Sequence, residues 1–332
     1  MKLLLSLALP LALLTLPAHG QDQATTLLAA CERADVVVRA TVLAASDPSP
    51  EWHRLEFRTD EVLHGQIGST FALLEPAGAC CGRSLFALVN GNDCLLFLQR
   101  RGATLHPFGG ARGVLAAEPA VIAHVRSLLA ATNDHARARI LVTALQNETP
   151  RVAEDAAHSL ATLPSLQLSA TDRDTVVATL GAALERGNAV AASLADVVVR
   201  LEDATVLDAL LPLYLDQPRA DRARLLRQAL VRCTPQGLVD RLPMHLHGDE
   251  QRELRAVELL ADLPTDDARP MLHGMLAVTH SPRVQLCVCE GLLATGTQAS
   301  TLRGRVPATV LALAERRRNG TRTFRNLRPH NR

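Results

Sequence analysis

Lysine is missing after Lys2, so every other cation among the 35 basic residues is an arginine, a uniformity that reads as coding bias and carries no function. Catalytic signatures are missing too. The chain has no G-x-S-x-G elbow to present a nucleophilic serine, no H-E-x-x-H to hold zinc on a helix face, and no G-x-x-x-x-G-K loop to cradle phosphates. Gly109 to Gly113 (GGARG) is glycine-rich, but no helix start follows it at once, so a β-turn is the expectation there. These absences leave no catalytic residue, no cofactor and no small-molecule substrate to assign. Low charge excludes a further class: with 332 residues, 48% apolar and only 21% charged, the chain is neither disordered nor a miniature disulfide scaffold.

After the first residues there is no long apolar run, which excludes a membrane-spanning helix in the body of the chain. The run that does exist is N-terminal. Met1 to Gly20 reads MKLLLSLALPLALLTLPAHG: one cation at Lys2, apolar residues from Leu3 to Leu16, then Ala18 and Gly20 at the small positions of a cleavage site before Gln21. The run is shorter than the roughly 20 residues a spanning helix needs. A signal peptide over residues 1–20 is therefore expected, with export to the periplasm or the exterior and a soluble mature chain. No cysteine stands at the cleavage point, which exposes Gln21, so no lipid anchor is indicated.

Charge is unevenly placed. Arg316, Arg317, Arg318, Arg322, Arg325, Arg328 and Arg332 crowd a C-terminal stretch that holds no acid, leaving the body before them net acidic. Residues 319–332 read as a basic, disordered tail, solvated or folded back on that body. The competing reading, an arm for anionic lipid or nucleic acid, lacks the interleaved aromatics of a stacking platform, since Phe324 stands alone.

Aromatics make up 2% of the chain, and they divide it. Trp52, Phe57, Phe71, Phe86, Phe97 and Phe108 all precede residue 116, whereas Tyr214 stands alone between 116 and 318. The two halves must be packed by different side chains, so a boundary near Ala116 separates a domain over 21–115 from one over 116–318. The first reads as short strands. Val36 to Leu43 is β-branched and continuous, Trp52 to Thr59 alternates, and Thr70 to Leu74 and Cys94 to Leu98 are short apolar runs, with turn residues between them. Such strands expose fewest edges when closed into a small barrel.

The second half is helical and repeats. RVAEDAAHSLATL, NAVAASLADVVVRL, ADRARLLRQALVRC, EQRELRAVELLADL and SPRVQLCVCEGLLAT end at Leu163, Leu201, Cys233, Leu263 and Thr295, a spacing of 30 to 38 residues. Each of the last four precedes a second apolar segment holding a proline, Pro212, Pro243, Pro270 or Pro307, expected to kink a helix. Paired helices at this period form a stack in which neighbours supply each other's core. The segment resembles HEAT repeats, notably in RVAEDAAHSL, where an arginine follows the inter-helix turn and small residues line the next helix. The insert from Ser165 to Thr171 breaks the first interval.

In the first half CERADVVVRATV, DEVLHG, ACCGRSLFALVNGNDCLLFL and LHPFGGARG run in the order found in the netrin-like fold. This resembles the N-terminal domain of the tissue inhibitors of metalloproteinases and their bacterial secreted relatives, and implies an OB-type β-barrel. Cys31 matches the cysteine before that family's first strand, and Cys81 with Gly82 its mid-domain pair. The family's inhibitory N-terminal cysteine is absent, because cleavage exposes Gln21, so that device does not carry over. The fold class that follows is multidomain α and β: a small OB-type β-barrel, then an α-solenoid of HEAT-like helix pairs.

Cys31, Cys80, Cys81 and Cys94 are the disulfide candidates of an exported barrel. A bond from Cys31 to Cys94 closes a loop of roughly 60 residues, worth roughly 4 kcal/mol on the chain-entropy model. A four-cysteine zinc site lacks the paired spacing it needs. Cys287 and Cys289, two apart on a helix, point about 200° apart and do not face one metal. Within HLHGDE, His245, His247, Asp249 and Glu250 are the densest set of metal-ligand types, but they lie where one helix ends and another begins, and capping accounts for them. The expected function is thus an exported, non-catalytic scaffold that binds another protein on the solenoid surface. The alternative is a regulator or inhibitor of an extracellular hydrolase, acting through the barrel loop Ala77 to Asn92. Nucleic acid or anionic lipid would be reached only through the tail.

Overall fold

The computed structural model describes residues 26–49, 52–76, 88–102, 104–188, 190–201, 204–233, 235–246, 248–263 and 265–326. It opens on a helix, α1 (Leu27–Arg33), whose N-cap Thr26 accepts a hydrogen bond from the Ala29 N–H. Six strands follow: β1 (Val36–Ser49), β2 (Trp52–His64), β3 (Thr70–Pro76), β4 (Asp93–Arg101), β5 (Thr104–Pro107) and β6 (Val114–Ala116). They form one antiparallel sheet in the order β3-β2-β1-β4-β5, with β6 also on β4.

The expected closed barrel is not what these strands make. The outer strands β3 and β5 approach within 8 Å, Cα to Cα, but among the described residues no ladder joins them, so the sheet is curled and open. Its curl has a local cause: the β1–β2 register slips at several points, one of them at Leu43, and each bulge adds twist. At the turn after β2, Gly65 has φ 77°, and a Cβ there would lie 2.1 Å from the Asp35 carbonyl oxygen, so only glycine fits.

Strand composition follows from burial. On the concave face Val36, Val38, Ala40, Val42, Leu55, Phe57, Leu73, Cys94, Leu96 and Leu98 form one apolar cluster, in which Phe57 stacks on Phe71 with ring centroids 5.1 Å apart. Val37, Leu95 and Phe97 point the other way, into a second cluster shared with α1 and the helical part. β1 and β4 are therefore covered on both faces and read as continuous apolar runs, whereas β2, exposed on one face, alternates.

In the Gly109–Gly113 stretch the expected β-turn is a 3-10 helix, Gly110–Gly113, entered through left-handed Gly109 and Gly110. Helices then run to the end of the description: α2 (Pro119–Ala130), α3 (Asp134–Ala144), α4 (Pro150–Thr162), α5 (Ala170–Arg186), α6 (Val190–Leu201), α7 (Ala204–Leu215), α8 (Ala220–Arg232), α9 (Pro235–Arg241), α10 (Glu250–Leu260), α11 (Thr265–Val278), α12 (Pro282–Ala294), α13 (Ala299–Leu302) and α14 (Ala308–Asn326). They pack as two rows. α4, α6, α8, α10, α12 and α14 each touch the next in one row, and α3, α5, α7, α9 and α11 do so in the other. Within the insert expected from Ser165 to Thr171, Ser169 caps α5 by accepting the Asp172 N–H, so Ala170 and Thr171 already belong to that helix.

Arginines tie units one period apart. Arg200 donates to the carbonyls of Leu160 and Ala161, Arg222 to that of Glu185, and Arg255 to that of Gln217, while Arg232 and Arg252 pair with Asp196 and Asp216 at 2.7 Å. Of the four prolines expected inside helices, Pro212 and Pro270 are inside α7 and α11. The other two mark boundaries instead. Pro243 belongs to a 3-10 turn, Leu242–His245, that follows α9, and Pro307 precedes α14, offering its carbonyl to Val310 and Leu311. A residue before proline resists the helical region, so either outcome satisfies the same chemistry. α14 runs past Asn319, so the start of the segment expected to be a disordered tail is helical as far as Asn326.

Candidate functional site

Where α9 stops at Arg241, the 3-10 turn swings the chain away and left-handed Gly248 (φ 71°) returns it to α10. Asp249 then caps α10 by accepting the Arg252 N–H at 2.9 Å. This detour opens a groove against α11, lined by Pro243, Leu246, Glu253, Met271, Met275 and Val278, with a volume of about 620 Å³. One polar bond holds its rim: Thr279, just beyond α11, donates through Oγ1 to Glu253 Oε2 at 2.9 Å.

The lining suits an apolar guest. Met271 and Met275 lie in the groove, and Met244, next in the chain to the lining residue Pro243, is 57% exposed. Val278 is 69% exposed at the end of α11. Methionine is flexible and polarizable and moulds to apolar partners. Gly274 faces the same space, and a Cβ built there meets no atom within 4 Å. The walls are apolar with a single carboxylate, Glu253, the make-up of an apolar binding cleft.

The residues singled out by sequence do not converge. His245 ends the 3-10 turn with Nε2 3.9 Å from Asp208 Oδ1, Asp249 is a helix cap, Glu250 accepts from Ser281 at 2.9 Å, and His247 lies outside the described residues. Among the described residues no three His, Cys, Asp or Glu side chains are grouped to hold a metal ion.

Of the pairings left open among Cys31, Cys80, Cys81 and Cys94, the Cys31–Cys94 bond is not formed, and packing explains it. Cys31 points into the helical cluster and Cys94 into the concave face of the sheet, both as free thiols. Burial pushes Cys31 up to about 12 and Cys94 up to about 11, so both stay protonated. Cys80 and Cys81 lie outside the described residues, as does most of the loop Ala77 to Asn92. On α12, Cys289 is buried and Cys287 half-buried.

Of the tail arginines, Arg317 pairs with Glu290 of α12 at 3.2 Å, and Arg316 is exposed. Arg318 is half-buried on α14, while the side chains of Arg322, Arg325, Arg328 and Arg332 lie outside the description. No described helix is long and apolar enough to cross a membrane.

Sequence reasoning passed over the groove, although it left two signals: methionines confined to 244–275 after Met1, and a glycine amid the apolar helix MLHGML. It also passed over His124 and Asp155, polar side chains buried between α1, α2 and α4. No protein-family model, no curated protein and no solved structure matches the chain.

Proposed function

We propose that the chain is an exported, non-catalytic binding protein whose partner, another protein, seats an apolar segment in the groove between the 3-10 turn and α11. In this reading the two helix rows are a HEAT-like α-solenoid, supported by contacts between units and by arginine bridges recurring at separations of 36 to 38 residues. The curled sheet is a netrin-like OB-type domain, supported by its antiparallel order and the approach of its outer strands. Export rests on the sequence of Met1 to Gly20. The observation that carries the binding role is the groove lined by Met271 and Met275 with its exposed Val278.

Gly274→Leu tests it, because Gly274 lines the groove and a Cβ there enters open space, from which the leucine side chain extends into the groove. The full chain, used as bait on the extracellular fraction, is expected to retain a discrete protein partner, and the variant to lose on the order of 10-fold in affinity, the effect of one well-filled apolar site. A partner held equally by both forms would remove the groove from the function.

A further inference from the structure

Where the N-terminal helix meets the helix rows lies a buried pair of titratable groups that the groove does not use. Asp155 on α4 is 5% exposed and His124 on α2 is 7% exposed. Asp155 Oδ1 accepts the Leu27 backbone N–H at 2.6 Å, across 128 residues of chain. That N–H is one of the donors the first turn of α1 leaves without an intrahelical partner, so α4 supplies what α1 lacks. Ser159 Oγ donates to Asp155 Oδ2 from 3.4 Å. His124 Nε2 lies 4.0 Å from the same oxygen, buried and without a hydrogen-bond partner.

Other charged groups stand around the pair: the Arg151 cation on α4 favours the Asp155 carboxylate, and exposed Arg139 on α3 lines the same cavity as His124. On α1, Cys31 is a buried neutral thiol, and its neighbour Glu32 is held by Arg137 of α3 at 2.9 Å. Arg151 and His158 lie along α4 itself, and His158 Nδ1 is 2.7 Å from the Glu154 carbonyl oxygen. From α6, Arg200 is directed at the carbonyls ending α4. Among the described residues no arginine forms an ion pair with Asp155.

We propose that His124 and Asp155 are a proton-sharing lock, in which one proton held between carboxyl and imidazole keeps α1, and with it β1, seated on α2 and α4 as the surroundings turn acid. A protonated carboxyl donates through one oxygen and still accepts the Leu27 N–H through the other. A closure of about 1 Å turns the gap to Nε2 into a hydrogen bond.

The proton count explains why such a lock resists acid. Burial raises Asp155 from 3.8 to about 6, outweighing the Leu27 bond that lowers it, and burial lowers His124 from 6.5 to about 4. The stability contributed by Asp155 is full below 3.8 and lost as pH rises through about 6. That of His124 is present above 6.5 and lost as pH falls through about 4. Between those limits the folded pair is a neutral acid beside a neutral imidazole, and the unfolded chain is a carboxylate and an imidazolium. Each state carries one proton, so the two pH dependences cancel.

Denaturant unfolding of the full chain between pH 4 and 6, with each variant divided by wild type, tests the lock. Asp155→Asn keeps an acceptor for Leu27 but leaves His124 uncompensated, so its relative unfolding constant should rise on the order of 100-fold from pH 6 to 4. His124→Gln leaves Asp155 uncompensated, and its relative constant should fall by a similar factor. Ratios that do not change with pH, or that move in the same direction, overturn the proposal. Should a variant not fold, carbon-labelled aspartate and histidine in the wild-type chain give the answer by NMR: the Asp155 carboxyl should take its proton before the His124 ring does. The opposite order overturns the lock.

Discussion

Arg200 spans two units with one side chain. Its guanidinium caps the carbonyls of Leu160, Ala161 and Leu163, which end α4 without intrahelical partners. A cation at that end also opposes the helix dipole. Arg200→Ala should cost about 2 kcal/mol in urea unfolding, since part-buried carbonyls lose charged donors. Arg200→Lys should recover only part of it, because an ammonium has no fork to bridge several oxygens. Equal loss in both variants would mean that packing of the long side chain, rather than its donors, matters. The same residues show how little a composition alone discloses. Read as a list, the arginines carry only coding bias; placed on the period, Arg222, Arg232, Arg252 and Arg255 each meet a group in the preceding unit. Their role depends on a register that exists only once the helices have stacked.

Glycines in two helices set opposite expectations for one substitution. Gly274 sits within α11, where a Cβ meets nothing, so Gly274→Ala should stabilise by about 1 kcal/mol through helix propensity. Gly187 ends α5 in the left-handed region at φ 72°, and a Cβ there would lie 2.8 Å from Arg222 Nη2. Gly187→Ala should therefore destabilise by about 1 kcal/mol or more, through backbone strain and the displaced bond from Arg222 to Glu185. Thermal melts of the two variants read the sign directly. At this scale the sequence was legible where an element carries its own pattern: the helices from α4 onward show apolar periodicity, and β2 shows alternation. It was not legible for α1. Seven residues are too few for a period, and so short a helix holds only because Leu27, Leu28, Ala30 and Cys31 dock on the helical cluster. Nor does local sequence tell an internal proline such as Pro212 from a boundary one such as Pro307, since both follow apolar residues in helical spacing.

Sheet and helix rows share a cluster, and its size decides whether the molecule unfolds in one step or two. Val37, Leu95 and Phe97, each with 0% exposure, point from β1 and β4 into the helical core. At about 2 kcal/mol for each buried side chain they contribute about 6 kcal/mol, comparable with the whole stability of an ordinary domain. Arg126 of α2 adds a pairing with Glu61 of β2 at 2.6 Å, but both are partly exposed and this tie is worth little beside the apolar one. The halves should therefore melt together. The chain provides separate reporters: its one tryptophan, Trp52, lies on β2, and helical circular dichroism comes from the rows. In the wild-type chain the two signals should be lost at one denaturant concentration. Phe97→Ala removes the largest shared side chain, at a cost of about 3 to 5 kcal/mol, and most of that loss falls on the coupling. The tryptophan transition should then precede the helical one. Superimposed transitions in the variant would place the coupling elsewhere, in the docking of α1 through Leu27 and Asp155.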